Sequence, residues 1–155
     1  GWPLDRAVGK DVVFIAGGLL GAYLFSDTQR RPVFSLTACV GNCFNRQELL
    51  GLVGSIIVQK QPALLPDVLY ETEKTVAMNY PVDHVGEHYV IIPKKDIKNI
   101  GEVREGDEPY LADAFTVIGY LVKQKGLHTY RVITYGPGRQ DVSYLHFHLL
   151  GPVAN

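Results

Sequence analysis

The sequence predicts an α+β fold: an antiparallel sheet meander with a helix packed on it, preceded by an N-terminal apolar helix. Three observations carry that expectation. Short β-branched runs bounded by turn residues recur at 68–72, 75–78, 88–93, 130–134 and 142–150. Between the third and fourth runs lies a stretch with helical apolar spacing, Leu111, Phe115, Ile118, Leu121 and Val122. Residues 12–25, far upstream, are apolar on every side. Strands around one amphipathic helix imply a sheet with that helix on one face.

The N-terminal run follows Lys10 and Asp11 and precedes Ser26 and Asp27. As a helix it extends about 21 Å, against a hydrocarbon core about 30 Å thick. Three readings stay open: a secretory signal, a membrane anchor contacting lipid through residues 8–26, or a helix buried against the domain or a partner subunit. Gly17 and Gly21 stand four apart, a spacing that permits close helix–helix approach. Arg30, Arg31 and Pro32 begin a connector. The expected division is therefore residues 1–42 for helix and connector, and 43–155 for the α+β domain.

A short helix over 45–58 is expected next, weakened by Gly51 and Gly54. Residues 68–72 and 75–78 then read as two strands around Glu73-Lys74, and 88–93 as a buried third. Asp107-Glu108-Pro109 opens the main helix with acidic residues and a proline, and Lys123, Lys125 and Gly126 close it. The last two strands flank Tyr135-Gly136-Pro137-Gly138-Arg139-Gln140.

Composition excludes several functions. A hydrophobic fraction of 46% with 20% charged residues belongs to a folded chain rather than a disordered one. Net charge is -1 and the fifteen basic residues are scattered, so the footprint of a nucleic-acid binder is missing. Cys39 and Cys43 are too few for a disulfide scaffold or an all-cysteine zinc site.

The chemistry concentrates at the end of the chain. On a strand, Tyr144, His146 and His148 share one face while Leu145, Phe147 and Leu149 share the other. The Gly136-Pro137-Gly138 turn just before them lacks side chains that would keep backbone N–H groups from an anion. Imidazoles beside such a turn suggest phosphate chemistry. A zinc site would need further ligands from His84, His88 or the cysteines, and no metal is expected.

Residues 140–151, with Tyr144-Leu145-His146-Phe147-His148 at their centre, resemble the signature of the histidine-triad (HIT) family of nucleotide hydrolases and transferases. The segment His88-Tyr89-Val90-Ile91-Ile92-Pro93-Lys94-Lys95 resembles the family's other recognisable stretch, and the helix at 109–126 falls where the family places one. The resemblance implies that His146 attacks the α-phosphorus of a nucleotide, forming a nucleotidyl-histidine that water hydrolyses. It implies that His148 contacts the phosphate, that His88 lies near the site, and that Gln140 and the turn at Gly138 hold phosphate oxygens. The departures are informative. Tyr144 replaces the first triad histidine and is a poor proton carrier at neutral pH. Tyr80, with Asn79 beside it, stands where an acidic residue would grip the ribose. Thr134 or Tyr135 takes an asparagine's place, and Asp141 brings a negative charge toward a bound phosphate. The cysteines are similar to a structural-zinc pair but have one residue too many between them.

These departures, with the apolar terminus, favour an accessory subunit of a larger membrane-bound assembly, its nucleotide site vestigial or weak. The expected setting is a membrane, the mitochondrial inner membrane foremost, with protein subunits or a second copy as partners. The alternative is an active nucleotide hydrolase or nucleotidyl transferase acting on a phosphoramidate or dinucleotide. Either reading takes a purine mononucleotide as the ligand and no other cofactor.

Overall fold

The computed structural model describes residues 4–33, 44–81 and 86–152. Cys39, Cys43 and His84 lie outside the described residues, as does the expected boundary at 42/43. Helix α1 runs Leu4–Phe25 and α2 Arg46–Lys60, followed by β1 (Val68–Glu71), β2 (Thr75–Asn79), β3 (His88–Pro93), α3 (Glu108–Gln124), β4 (Arg131–Ile133) and β5 (Phe147–Leu150). Two single-turn 3-10 helices, Pro62–Leu64 and Ile100–Glu102, join α2 to β1 and β3 to α3.

The five strands form one antiparallel-paired sheet in the order β1-β2-β3-β5-β4. The fold class is α+β as expected, but the sheet is not a simple meander. After β3 the chain crosses over through α3 and enters β4 at the far edge, and β5 then returns between them. The reason is geometric: β3 and β4 run parallel, and a parallel return requires a long crossover, which α3 supplies. The position thereby given to β5 is central. Its backbone pairs on both sides, with Val90 opposite His148 on β3 and Ile133 opposite His148 on β4.

Helix α3 starts with Pro109 in its first turn and ends at Gly126, whose φ of +63° suits a residue without Cβ. Leu127 N–H then bonds back to the Val122 carbonyl, capping the last turn. Ala114, Val117, Ile118 and Leu121 are the residues it buries, at helical spacing, against Ala77, Tyr89, Ile91, Leu145, Phe147 and Leu149 of the sheet side. Phe115, expected on that face, is 55% exposed, its ring tilted 51° to that of Phe147 with centroids 5.3 Å apart. A 3.6-residue repeat places position 115 about 100° from 114, at the rim of the buried stripe. The hairpin β1–β2 is fastened to the same helix: Thr72 Oγ1 accepts from the N–H groups of Lys74 and Thr75 and donates to Asp113.

The opposite sheet face looks toward α2. Asn45 caps that helix, its side chain accepting from Glu48 N–H at 3.2 Å. Gly51 weakens α2 locally, yet a Cβ there would meet the Ser143 carbonyl oxygen at 2.4 Å, so tertiary contact overrides helix propensity. Helix α1 is longer than the apolar run because Lys10 and Asp11 lie inside it. No helix among the described residues is long and apolar enough to cross a membrane. The membrane-anchor reading of residues 8–26 thus lacks a spanning helix, the uninterrupted apolar part reaching only about 21 Å.

Leu121→Ala, at a fully buried position, is expected to cost about 2–5 kcal/mol in urea unfolding. Phe115→Ala, at the rim, is expected to cost about 1 kcal/mol. Equal losses would contradict the burial pattern of α3.

Candidate functional site

The face of the sheet turned toward α2 carries a cavity of about 640 Å³. Its floor and walls are aliphatic: Val58 of α2, Leu65, Met78, Val90, Ile92, Val142 and Leu150. Its polar residues are Tyr80, His88, Tyr135, Arg139, Asp141, Tyr144, His146 and His148. Strand alternation explains the division, since Leu145, Phe147 and Leu149 belong to the α3 core while Tyr144, His146 and His148 line the cavity.

Regular strand begins only at Phe147, later than the sequence pattern indicates. Residues 140–146 form an irregular bridge whose backbone is held by individual bonds. Leu145 N–H donates to the Ile97 carbonyl at 2.6 Å. Gln140 is buried, and its Nε2 donates to the carbonyls of Lys98 (2.8 Å) and Tyr144 (3.2 Å). A strand could not make these turns, so the backbone leaves the ladder there in exchange for side-chain bonds.

His146 is the best defined group. Its Nδ1 lies 2.7 Å from the Tyr144 carbonyl oxygen. A carbonyl only accepts, so Nδ1 carries the ring proton and the lone pair resides on Nε2. Burial pushes the imidazole pKa down, while the bond to Tyr144 and the charge of Asp141 oppose that shift in part. The neutral ring is the form held at neutral pH.

His88 Nε2 and His148 Nδ1 face each other at 2.9 Å. Tyr80 stacks on His88, centroids 4.0 Å apart and planes 17° apart, and Tyr135 meets His148 edge-on at 5.3 Å. His146 and His148 are themselves T-shaped at 4.9 Å. Burial first, and then repulsion from His146 and His88, lower the His148 pKa to about 4 against the pull of Asp141. When His88 donates, His148 Nδ1 accepts and its Nε2–H is the donor left for a ligand.

Five of the eight residues singled out in the sequence therefore line one cavity: Tyr80, His88, Tyr144, His146 and His148. Three do not. Gln140 has committed its amide hydrogens to two backbone carbonyls, so it braces the bridge instead of facing a phosphate. Gly138 sits in a turn with φ +84°, and the N–H groups of Arg139 and Gln140 after it both bond the Gly136 carbonyl. Asn79 ends β2 opposite Tyr89, its N–H bonded to Asp67. Tyr144 lines the wall with its ring, but its hydroxyl donates to the Pro93 carbonyl at 2.7 Å, and burial raises its pKa well above the usual value. Its proton is thereby committed to the backbone.

The cavity also contains residues that sequence reasoning missed. Arg139 had a readable signal, a cation directly after a glycine turn, and it faces the same space as Asp141. Tyr135 stands out in the sequence only as a departure at the family's asparagine position, and Val58 had no signal, because only the packing of α2 brings it there. Among the described residues no group of three or more His, Cys, Asp or Glu side chains could hold a metal ion.

Comparison with known proteins places this geometry in a family. The family model described as "Scavenger mRNA decapping enzyme C-term binding" matches residues 53–155. An uncharacterised HIT-like protein of Synechococcus elongatus is 34% identical over 103 residues, covering 64% of this chain and 88% of the relative. One from Chlamydia trachomatis is 32% identical over 88 residues, covering 55% and 79%. Among solved structures, a HIT family hydrolase from Clostridium thermocellum superposes with a TM-score of 0.58 at 30% identity, over 65% of this chain and 90% of that one. Another from Legionella pneumophila gives 0.57 at 28% identity, over 63% and 92%.

The depressed histidine pKa values link stability to pH. Between the unfolded value near 6.5 and the folded value of about 4 for His148, the unfolded chain binds the extra proton, so stability falls as pH is lowered through that window. Imidazole NMR titration is expected to find His148 still neutral at pH 5.5, and His148→Gln to flatten the acid side of the stability profile. A His148 midpoint near 6.5 would contradict the buried triad geometry.

Proposed function

Because the chain belongs to the histidine-triad (HIT) family, we propose that it is a nucleotide hydrolase or nucleotidyl transferase working through a covalent bond to His146. The observation that carries this reading is the His146 Nδ1–H bond to the Tyr144 carbonyl, which leaves a neutral Nε2 lone pair in the cavity. Two of the solved relatives are HIT family hydrolases. In the proposed reaction His146 Nε2 forms a bond to the α-phosphorus as the bond to the leaving group breaks. Water then cleaves the N–P bond, releasing the nucleoside monophosphate and restoring the imidazole. His148 Nε2–H and Arg139 stabilise the phosphoryl oxygens, and Asp141 offsets part of that positive field.

Tyr144 defines the reaction's restriction. Its hydroxyl proton is held by Pro93, so the leaving group departs without a proton from that ring. This favours a phosphoanhydride, or a phosphoramidate protonated on nitrogen, over a simple ester. A purine mononucleotide is the proposed bound moiety, its base against the aliphatic wall.

One observation favours a second role beside this one. Residues 12–20 of α1 are all exposed, Phe14 being 83% exposed. Such a helix suits a docking segment in a larger assembly, the accessory reading of the sequence. Removal of residues 1–26 is expected to release the domain from that assembly on gel filtration of a native extract, whereas continued co-migration would refute the role.

For the catalytic reading, adenosine phosphoramidate turnover is expected in the unmodified protein, with His146→Ala reducing it on the order of 10³-fold or more while the fold persists. Tyr144→Phe is expected to change turnover by less than about threefold and to cost about 1–3 kcal/mol of stability, because the Pro93 carbonyl is left buried. Absence of turnover together with absence of nucleotide binding by calorimetry would overturn the proposal.

A further inference from the structure

We propose that Arg31, upstream of the family-matched residues, is a positioning residue for His146: it fixes the Ser143 peptide from which the Tyr144 carbonyl is presented to the imidazole. The inference rests on the proposed function for its catalytic meaning.

Both backbone polar groups of Ser143 are bound by residues that precede the matched region of 53–155. Its N–H donates to the Gln47 carbonyl at 3.1 Å, and its carbonyl accepts from Arg31 Nη2 at 2.7 Å. With Ser143 fixed at both ends, little backbone freedom is left before Tyr144, whose carbonyl receives His146 Nδ1–H.

The Arg31 guanidinium is itself immobilised. Its side chain is fully buried, and so is that of its partner Asp96. Nη1 donates to Asp96 Oδ2 at 2.6 Å while Nη2 donates to the other carboxylate oxygen, a two-pronged pair. Gln29 N–H also reaches Asp96 Oδ2 at 2.6 Å, and the Gln29 side chain donates to the Asp96 carbonyl at 2.7 Å. A buried ion pair of this kind gives little net stability compared with apolar packing, but it fixes position sharply. Only a planar fork can hold the carboxylate with both arms and the Ser143 carbonyl with one of them, so lysine is not an equivalent. Gly51 of α2 completes the clamp: a Cβ there would lie 2.4 Å from the Ser143 oxygen and 2.8 Å from Arg31 Nε.

Two substitutions disturb this contact by different routes. Arg31→Lys keeps the buried charge but loses the fork. Gly51→Ala leaves the guanidinium fork and both charges in the chain and favours helix, yet presses on the Ser143 carbonyl and on Arg31 Nε. Each is expected to lower kcat by about 10–100-fold with KM changed less than about threefold, in protein that circular dichroism shows to be folded. Side-chain 15N NMR of His146 is expected to show the Nδ1–H tautomer alone in the unmodified protein and a mixture of tautomers in both variants, a signature that mere loss of stability would not produce. Should Arg31→Lys fail to fold, Gly51→Ala decides by itself. Folded variants with unaltered kcat and an unaltered tautomer would overturn the inference. If the unmodified protein turns over no nucleotide, the proposed function fails, whereas the tautomer comparison still tests the positioning role.

Discussion

The bond from His146 Nδ1–H to the Tyr144 carbonyl is the interaction on which the site depends. An imidazole has two nitrogens, and its use as a nucleophile requires that one keep a lone pair toward the reacting atom. A backbone acceptor makes that choice permanently, because unlike a carboxylate it cannot take up the proton. The carbonyl must then stand still. Much of the surrounding structure does that: Gln140 donates to the same oxygen, the Tyr144 ring is anchored at Pro93, and Leu145 is tied to Ile97.

Burial does the electrostatic part. Burial favours the neutral forms of His146 and His148, and His146 and His88 further oppose protonation of His148. Asp141 works against this, yet it is exposed and its effect is the smaller. The result is a polar row with almost no charge of its own inside an apolar cavity, a setting in which a phosphate's charge meets aimed donors instead of fixed cations. Arg139, at the exposed rim, supplies the formal charge without requiring burial.

Sheet topology makes these arrangements possible. Because β5 is central, its histidine face is flanked by β3 on one side and β4 on the other, so His88 and Tyr135 approach His148 from opposite neighbours. The same strand's other face anchors the α3 core through Phe147 and Leu149. One short strand thus joins the stability of the domain to the geometry of its site, and a residue's parity on it decides which it serves.

Much of this was legible in the residues themselves. Alternation of Leu145, Phe147 and Leu149 with Tyr144, His146 and His148 determined which face was core, because a two-residue period admits only two faces. Proline and glycine at the ends of α3 marked its limits through φ preference and a missing N–H. The family resemblance was readable from two short motifs in order. What the local pattern could not contain was partnership. The insertion of β5 between β3 and β4, the rim position of Phe115 and the commitment of Gln140 and the Tyr144 hydroxyl to backbone carbonyls all depend on residues far apart in the chain. Arg31 offers the clearest case: in sequence it is one of two arginines in a connector, and only the fold sets it against Asp96 and Ser143. Side-chain type and spacing are local properties, whereas the acceptor that satisfies a buried donor is chosen by the packing of distant segments, and that choice belongs to the tertiary structure alone.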